Sequence, residues 1–528
     1  MDAWDQELPV DYKDRAELLQ GIRDGFHIVD MEKVQMEPVD IDNYPSATNP
    51  SVINQVAAQI QEELSHGHYH ITAEKPRIIS ALGAIPKKNA KLRLIHDCSR
   101  PPGSAVNDFA TNNKFQYQTL QDAVDIMRPG CYVAKLDLAH AYRVVRIHPS
   151  NYPVTGLKFT FPGDCEPTYM VDTRLPFGAA RSPEIFNSLT QAVRTIMASK
   201  GFPGIVAYLD DFLVVCPTYN ECIIALNTLI RLLRKLGFWI NYSKVEGPCQ
   251  RITFLGIILD SITMKLELPG EKLQDLRNDL LNILSKPKVS KKTLQRIAGK
   301  MNWAVQCIYG GRFYLRRILD CINTLKKPWH RIRVTVAMRQ DIQWWLMFMN
   351  QFNGSVDMVE SRPVSPLYID ACDKAAGAYY DHDWVYTPWK QCWPSVSNHH
   401  INYKEVLALE PAVCRWAPLW KNRKVLVHTD NQAAACIINK GSCRDALTMA
   451  SLRRIFWFSV LYNFRIYAVY LPGVENVIAD SVSRLYDNKH RCILQNLNLW
   501  PPINCECPYP YRSVPSSGES PGPRSAEI

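Results

Sequence analysis

Residues 205–215 read IVAYLDDFLVV, and this stretch decides how the surrounding region folds. Two apolar runs flank the adjacent carboxylates Asp210 and Asp211, which is typical of a β-hairpin with a short polar turn. Neighbouring carboxylates that lose water need protons or cations to offset their charge. A divalent metal at the hairpin tip would provide that offset, but an Asp-Asp pair alone also fits a solvated turn. The rest of the sequence decides between these two interpretations.

The composition is that of a globular protein with several domains. The chain has 528 residues, 47% of them hydrophobic and 21% charged, so about three or four folded units are expected. No apolar run approaches the length of a membrane span, and the acidic N-terminus has no signal-peptide core. The 16 cysteines are spread singly along the chain, which is typical of reduced thiols. We therefore expect an intracellular protein of the cytoplasm or nucleus, with no membrane partner.

The charge balance favours a polyanionic partner. The formal net charge is +10 and the pI is near 8.8, and basic residues cluster in 75–100, 286–300 and 311–318. Phosphate contacts from Lys and Arg dominate the affinity of proteins for nucleic acids. Each cluster taken alone could equally be a solvated surface, so the charge indicates only a class of partner.

A second acidic strand precedes the hairpin. The run KLDLAHAY (135–142) places Asp137 between two leucines of a predicted strand. One strand aspartate together with the pair Asp210 and Asp211 is the set needed for two-metal nucleotidyl transfer, and carboxylate oxygens suit Mg²⁺. This favours the metal-site interpretation of the hairpin.

These motifs, with others in the same order, resemble a reverse transcriptase of the retroelement type over roughly residues 70–330. The other blocks are IPKKNAKLRLIHDCSR (85–100), LPFGAARSP (175–183), the segment around Lys244, and FLGIILD (254–260), which fits the primer grip. The resemblance implies a right-hand polymerase with fingers, palm and thumb. It implies that Asp137, Asp210 and Asp211 bind two Mg²⁺, which Mn²⁺ can replace. It also implies that Lys87 or Lys88, together with Arg93, contacts the incoming triphosphate, that Tyr142 excludes a 2′-hydroxyl, and that Phe177 contacts nucleotide and template.

An independent carboxylate set follows downstream. Asp370 ends an apolar strand in LYIDACD, and Glu405 lies on the predicted helix of NYKEVLALEPAV. Asp430 ends a strand in VLVHTDNQ, and Asp480 lies in LPGVENVIADSVSRL. Four carboxylates on four elements could hold two Mg²⁺ for phosphodiester hydrolysis. Asp430 could instead cap a helix, and Asp480 could be a charge at a helix start.

This downstream pattern resembles the ribonuclease H fold over about residues 363–486, which implies cleavage of the RNA strand of an RNA–DNA hybrid. Retroviral enzymes carry a histidine shortly before the last aspartate, whereas YLPGVENVIAD has none, as in gypsy-type elements. The phrases HTDNQAAACIINKG, LPGVENVIADSVSR and DIQWW most resemble the DIRS type of retrotransposon. The sequence shows no aspartic protease, zinc-pattern or recombinase signature, so we expect recombinase and capsid-like partners to be encoded separately.

The predicted fold class is α+β: a right-hand polymerase followed by an α/β ribonuclease H-like domain. The predicted segments are a partly helical N-terminal extension (1–66), fingers and palm (67–268), a helical thumb (269–330), a connector (331–362), the ribonuclease H-like domain (363–486) and a disordered tail (487–528).

The leading hypothesis is an RNA-directed DNA polymerase with an attached ribonuclease H. Its expected partners are an RNA template, a DNA primer, RNA–DNA hybrid and dNTPs. The first alternative is a non-catalytic or host-adopted nucleic-acid-binding relic that keeps the fold and the basic surface. The second is an RNA-templated RNA polymerase, against which Tyr142 and the downstream carboxylate set argue.

Overall fold

The computed structural model describes residues 2–35, 37–86, 92–111, 115–352 and 354–499. The chain divides into two compact units, Met1–Met264 and Lys265–Ile528, called here the first and second unit. Lys87 and Lys88, predicted to contact a triphosphate, lie outside the described residues. Within those ranges no helix combines the length and apolar character needed to cross a membrane, and each described cysteine is a free thiol.

The first unit mixes helices and strands along its whole length. Its helices are α1 (Asp2–Glu7), α2 (Arg15–Asp24), α3 (Pro45–Thr48), α4 (Ile53–Ser65), α5 (Leu120–Ile126), α6 (Ser182–Ser199) and α7 (Tyr219–Lys235). Its strands are β1 (Val39–Asp40), β2 (Tyr69–Ile71), β3 (Ile78–Ile79), β4 (Ala81–Pro86), β5 (Leu92–Asp97), β6 (Tyr132–Ala139), β7 (Gly156–Phe159), β8 (Thr168–Asp172), β9 (Ile205–Tyr208), β10 (Asp211–Cys216), β11 (Trp239–Ile240), β12 (Glu246–Cys249), β13 (Arg251–Phe254) and β14 (Ile257–Asp260).

The central sheet of the first unit carries the hairpin that the sequence predicted. Its strand order is β11-β6-β10-β9, and β12 also pairs with β6. Strands β9 and β10 form the hairpin, and β10 runs antiparallel to β6 along its whole length. The other sheets of the unit have the order β1-β3-β7-β8-β2 and the hairpins β4-β5 and β13-β14.

Helices α6 and α7 cover one face of the central sheet. Along β6 and β10 alternate residues such as Leu136, Phe212 and Val214 join the same core as α6 and α7. Because successive strand residues point to opposite faces, the residues between them point away from those helices. Asp137 and Asp211 therefore lie on the face of the sheet that the helices leave uncovered.

The sequence placed Tyr142 on the same strand as Asp137, and that prediction is wrong. Strand β6 ends at Ala139, and Tyr142 belongs to a short 3-10 helix, Ala141–Val144. The chain turns at His140, which has a positive φ of 54°. Tyr142 is thus held by a turn beyond the strand end, and not by the pleat of the sheet.

The second unit has most of its early residues in helices and contains a five-stranded sheet after residue 363. Its helices are α8 (Gly270–Leu284), α9 (Lys291–Ala304), α10 (Arg316–Thr324), α11 (Val336–Phe352), α12 (Trp389–Cys392), α13 (Ile401–Trp416), α14 (Gln432–Lys440), α15 (Ala446–Leu461), α16 (Val477–Ser483) and α17 (Asn488–Asn496). Its strands are β15 (Lys265–Glu267), β16 (Lys288–Ser290), β17 (Arg331–Arg333), β18 (Ser355–Asp357), β19 (Val364–Ala371), β20 (Ala375–Tyr380), β21 (Asp383–Pro388), β22 (Lys424–Thr429) and β23 (Arg465–Tyr470).

The five-stranded sheet of the second unit has the order β21-β20-β19-β22-β23. Strands β19, β20 and β21 form an antiparallel meander, and β19, β22 and β23 run parallel. Helix α13, which carries Glu405, packs against the sheet through Val406, Leu409 and Val413, whose spacing puts them on one face of the helix. The carboxyl ends of β19 and β22 lie side by side, which positions the residues that follow them.

Helix α16 comes very close to the sheet at Gly377. A Cβ atom there would lie 2.4 Å from the backbone nitrogen of Ser483 and 2.6 Å from the carbonyl oxygen of Ala479. Real Cβ atoms do not approach so closely, so only glycine permits this packing. The close approach brings the residues of α16 to the edge where β19 ends.

Several predicted elements are present and two were missed. Ser290 caps the N-terminus of α9, since its side chain accepts a hydrogen bond from the Thr293 backbone N–H. The short strand β16 interrupts the predicted helical thumb, and β17 lies at the start of the predicted connector; both were missed because three-residue strands carry little periodicity. The predicted disordered tail from residue 487 is wrong for its first part, where α17 buries Leu494 against Trp384 and Val482.

Candidate active sites

The first carboxylate set is assembled by strand pairing. Asp137 on β6 and Asp211 on β10 are direct cross-strand partners, and such pairs lie about 4.5–5.5 Å apart at Cβ. Asp210 lies in the hairpin turn, where its carbonyl oxygen accepts a hydrogen bond of 3.0 Å from the Leu138 backbone N–H. All three aspartates therefore lie at one end of the central sheet, although their ligand atoms do not all lie within 4.8 Å of one another.

The turn itself is strained. Leu209, the residue before Asp210, has a positive φ of 51°, a conformation that residues with a Cβ atom rarely adopt. A branched apolar residue there costs on the order of 1 kcal/mol relative to glycine. The two-residue turn between Tyr208 and Asp211 fixes where Asp210 lies relative to β6.

One cation already faces this set. Lys244 Nζ lies 2.9 Å from Asp137 Oδ2, and the Asn241 side-chain amide donates to the same oxygen at 3.3 Å. Asp137 itself is buried, with 7% of its surface exposed. The ion pair with Asp137 raises the pKa of Lys244.

Burial and mutual repulsion disfavour the ionised forms of the other two carboxylates, Asp210 and Asp211. Burial, then Asp210 and Asp137, raise the pKa of Asp211 to about 6. Burial, followed by Asp137, also raises the pKa of Asp210, while Lys244 and Arg93 oppose the shift. A site that holds its carboxylates out of their ordinary pKa range is one where a bound cation would be stabilised.

A stack of aromatic rings and a guanidinium lies beside these carboxylates. The rings of Tyr142 and Phe177 stack with centroids 5.1 Å apart, and the Arg93 guanidinium lies 5.3 Å above the Phe177 ring. The Phe186 ring packs edge-on against Tyr142 at 5.4 Å. Burial raises the pKa of Tyr142.

Gly178 fixes the position of Phe177. Its φ is +134°, and a Cβ there would lie 1.9 Å from the His96 carbonyl oxygen. The His96 backbone N–H in turn donates to the Phe177 carbonyl oxygen at 3.1 Å. The glycine of LPFG therefore allows β5 and the Phe177 loop to touch, which brings Arg93 onto the ring.

A buried ionic network around Arg143 holds the turn that carries Tyr142. Arg143 donates to both oxygens of Asp172, at 3.0 and 2.8 Å, and through Nε and Nη2 to Glu63 at 3.0 and 2.8 Å. Only 6% of the Arg143 side chain is exposed and none of the Asp172 side chain. Tyr69 and His96 complete the network through a 2.9 Å hydrogen bond. It joins helix α4, strands β2, β5 and β8, and the turn that carries Tyr142.

The second carboxylate set is more compact. Asp370 on β19, Glu405 on α13 and Asp430 after β22 offer ligand atoms that all lie within 4.8 Å of one another. Among the residues that the structure describes, no other cluster of three or more acidic, histidine or cysteine side chains meets that distance. Asp370 and Glu405 are almost fully buried, at 2% and 3% exposure, whereas Asp430 is partly exposed.

The electrostatics of this cluster are those of crowded buried acids. Burial, then Asp370 and Asp430, raise the pKa of Glu405 to about 9. Burial raises the pKa of Asp370 to about 6, opposed by a short hydrogen bond that Ser483 Oγ donates to Oδ2 of Asp370. Burial and the charge of Asp480 raise the pKa of Asp430.

Asp480 stands beside the cluster and not within it. It lies in the first turn of α16, and its Oδ1 accepts a 2.6 Å hydrogen bond from Arg484 Nε. Its charge is close enough to raise the pKa of both Asp370 and Asp430. The alternative that Asp430 caps a helix is wrong, because the cap of α14 is Asn431, whose side chain accepts from the Ala434 N–H.

Residues 85–259 match the family model described as "Reverse transcriptase (RNA-dependent DNA polymerase)". The chain carries a reverse transcriptase domain. The matched range includes every described residue that the sequence assigned to polymerase chemistry, namely Arg93, Asp137, Tyr142, Phe177, Asp210 and Asp211.

Curated relatives of the chain are transposon polyproteins. The Transposon Tf2-3 and Transposon Tf2-7 polyproteins of Schizosaccharomyces pombe are each 24% identical over 430 residues, which cover 76% of this chain. The chain spans 28% of the length of these relatives. It thus resembles the reverse transcriptase segment of a retrotransposon polyprotein.

Solved structures of similar fold come from foamy virus. One is a protease-reverse transcriptase in complex with double-stranded DNA, with a TM-score of 0.53, 17% identity, and coverage of 89% of this chain and 81% of that one. Another is the protease-reverse transcriptase in complex with RNA/DNA hybrid, with a TM-score of 0.52, 17% identity, and coverage of 89% and 62%. At this identity the likeness concerns the fold.

Sequence reasoning found the acidic residues of the reverse transcriptase domain but missed their neighbours. Lys244 was noted only as part of a block, and Asn241 and Gly178 were not singled out. Nothing in the local sequence shows that Lys244 pairs with Asp137, because the contact depends on the pairing of β11 and β6. The signal that could have found Gly178 is its place in a tight turn after proline and phenylalanine.

Proposed function

We propose that this chain is an RNA-directed DNA polymerase. The observation that carries the proposal is the cross-strand pair Asp137 and Asp211 with Asp210 in the adjoining turn, inside a domain that matches the reverse transcriptase family. In this reaction a primer 3′-hydroxyl attacks the α-phosphorus of a dNTP, and pyrophosphate leaves. Catalysis of that type depends mainly on positioning and electrostatic stabilisation.

The three carboxylates fit a divalent metal site. Their oxygens are ligands that Mg²⁺ prefers, and the raised pKa values of Asp210 and Asp211 reflect negative charge that the protein leaves unpaired. Asp137, Asp210 and Asp211 would hold two Mg²⁺, or Mn²⁺ in its place. Such ions stabilise the charge of the attacking and leaving oxygens.

The aromatic stack fits a role in choosing the nucleotide. Tyr142 is fixed by rings on two sides, so its own ring cannot turn aside without losing both contacts. A rigid ring next to the sugar of the incoming nucleotide would exclude a 2′-hydroxyl by its volume. Arg93, exposed and held over Phe177, would contact the triphosphate together with Lys87 or Lys88.

We also propose that the second unit degrades the RNA strand of an RNA–DNA hybrid. The five-stranded sheet, in which the parallel strands β22 and β23 extend the antiparallel meander β21-β20-β19, and the cluster of Asp370, Glu405 and Asp430 support a ribonuclease H-like domain. The cluster would hold Mg²⁺, with Asp480 completing the set from α16. Water would be the nucleophile, and the ions would lower its pKa.

For the origin of the chain we propose the DIRS type of retrotransposon. It rests on HTDNQAAACIINKG and LPGVENVIADSVSR, which surround Asp430 and Asp480. Its substrates would be an RNA template, a DNA primer and dNTPs, and its site of action the cytoplasm or nucleus.

Primer extension tests the polymerase proposal. Purified chain is given an RNA template, a DNA primer and dNTPs, in Mg²⁺ and separately in Mn²⁺. Wild type should extend the primer, and Asp210→Asn should fail while keeping hybrid binding. Equal extension by wild type and Asp210→Asn would refute the assignment.

For the second unit, Asp430→Asn should lose cleavage of a labelled hybrid, and cleavage at the wild-type rate would refute that site.

A further inference from the structure

The short strands β16 and β17 form an exposed basic surface in the second unit. We call it the basic ribbon: the antiparallel pair of strands with the flanking segments 286–292 and 326–333. Its exposed cations are Lys286, Lys288, Lys292, Lys326, Lys327, Arg331 and Arg333. The sequence has no acidic residue between Asp279 and Asp320, nor between Asp320 and Asp341. The ribbon therefore concentrates positive charge without acidic residues near it in the chain.

Strand pairing places like charges directly opposite one another. Lys288 of β16 pairs with Arg333 of β17. Arg331 lies two residues before Arg333, on the same face of the strand pair, and is opposite Ser290. The alternate residue Val289 is buried at 3% exposure, so this pair turns its basic face outward. Like charges directly opposite in a sheet are destabilising. Among the residues that the structure describes, neither Lys288, Arg331 nor Arg333 has a carboxylate within ion-pair distance to relieve this repulsion.

An exposed indole stands next to this charge. Trp329 lies in the connection that enters β17 and is 70% exposed. Its only ring contact in the described part of the chain is edge-on with His330, at 6.2 Å. Most of the ring is thus accessible to a planar partner. Backbone hydrogen bonds from Lys291 to His330 and from Lys292 to Pro328 fix the connection against the start of α9.

We propose that the basic ribbon binds single-stranded nucleic acid. Cations that follow the phosphates, together with an aromatic ring on which bases stack, are the two features of such sites. A protein partner would need acidic groups in a complementary array, whereas a nucleic-acid strand brings regularly spaced negative charge. The inference deepens the proposed function, because it names a surface for its nucleic-acid substrate, but binding here does not require either catalytic site.

The test uses the full chain and a fluorescently labelled single-stranded oligouridylate, with EDTA present so that neither carboxylate set can turn over substrate. Arg331→Ala with Arg333→Ala should weaken binding about tenfold at low salt. The slope of log K against log salt should fall by about 1.4, since each lost phosphate contact on a single strand removes about 0.7. Trp329→Ala should weaken binding about fivefold or more, with the salt slope unchanged.

The matched control removes two other exposed arginines, Arg231 and Arg234 on α7, which should leave oligouridylate affinity within twofold of wild type. Thermal unfolding of each variant verifies that the fold is kept. An unchanged affinity in the ribbon variant, or an equal loss in the Arg231 and Arg234 control, overturns the proposal. Loss of duplex binding with oligouridylate binding intact also overturns it, in favour of a duplex contact. Because the assay contains no metal or dNTP, its failure is distinct from a failure of primer extension.

Discussion

Asp137 and Asp211 face each other across neighbouring antiparallel strands, on the side of the sheet that α6 and α7 leave uncovered. The hairpin turn then adds Asp210, and Lys244 neutralises part of the charge from the side. The pairing explains why the charge of Asp137 raises the pKa of Asp211, although the two residues are far apart in sequence. It also predicts how the site responds when a neighbouring charge or ring is removed.

Lys244→Met should destabilise the metal-free protein, and Mg²⁺ should reverse much of that loss. Lys244 lowers the pKa of Asp210 and Asp211, so its removal leaves three carboxylates with more repulsion and more room for a cation. Thermal unfolding in EDTA and in Mg²⁺ measures both effects. Lys300→Met breaks the ion pairs with Asp275 and Asp279, and it should lose stability that Mg²⁺ does not restore. A Lys244→Met defect of equal size in EDTA and Mg²⁺ would contradict this role.

Tyr142→Val should raise ribonucleotide incorporation on the order of 10- to 100-fold relative to deoxyribonucleotides, because it removes the ring that we propose excludes the 2′-hydroxyl. Tyr142→Phe should keep discrimination near the wild-type value, since the ring contacts with Phe177 and Phe186 remain. Single-nucleotide insertion with dNTP and rNTP in parallel measures the ratio. Equal discrimination by Tyr142→Val and wild type would remove Tyr142 from this role.

Arg143→Met should lower the free energy of unfolding by about 3–5 kcal/mol, because it leaves the fully buried Asp172 without its charged partner. Urea denaturation measures the loss. The double variant with Asp172→Asn should recover part of it, since the uncompensated charge is then gone. Additive losses in the double variant would show that the two residues do not act as a pair.

The stability of the fold at acid pH should depend on the Glu63 carboxylate. His68 and Arg143 hold the pKa of this carboxyl at about 2, against an ordinary value of 4.5. A lowered pKa in the folded state means that its contribution is present above about pH 4.5 and is lost as the pH falls toward 2. Unfolding measured across that range should show a steeper decline for wild type than for Glu63→Gln. Parallel declines would contradict the ion pair with Arg143.

Glu405→Gln should stabilise the metal-free protein at neutral pH while abolishing hybrid cleavage. The pKa of Glu405 is raised to about 9, so without metal the folded state loses stability as pH rises from 4.5 toward 9. A neutral isostere removes that cost, an expected gain of about 1–3 kcal/mol. Glu410→Gln is the matched control on the same helix. Glu410 is equally buried but pairs with Arg454, so its replacement should destabilise. Destabilisation by both changes would contradict the crowded-acid description.

Much of the fold followed from the sequence because the signals were local. The apolar runs around Asp210 predicted the β9-β10 hairpin, and the spacing of apolar residues on α13 placed Glu405 on a helix. Short elements were not predicted from the sequence, because β16 and β17 have only three residues each and stabilise one another by pairing. Tyr142 was assigned to a strand because the positive φ at His140 that ends β6 has no sequence signal.

The site residues also divide into those with a local sequence signal and those that only the fold brings together. Asp137, Asp210, Asp211 and Asp370 could be named from their places in otherwise apolar segments, where a buried charge needs a reason. The side chains that hydrogen-bond to Asp137 and Asp370, namely Lys244, Asn241 and Ser483, come from segments far away in the sequence that the fold brings near. Asp480 was grouped with the cluster by motif, whereas the structure pairs it with Arg484 and leaves it beside the other three.

The most direct measurement follows both strands of one substrate in a single reaction. A labelled RNA template annealed to a differently labelled DNA primer is incubated with dNTPs and Mg²⁺, and both products are resolved over time. Wild type should extend the DNA and cut the RNA. Asp211→Asn should cut without extending, and Asp430→Asn should extend without cutting. Extension by Asp211→Asn at the wild-type rate, or the loss of both products in each variant, would contradict two separate carboxylate centres in one chain.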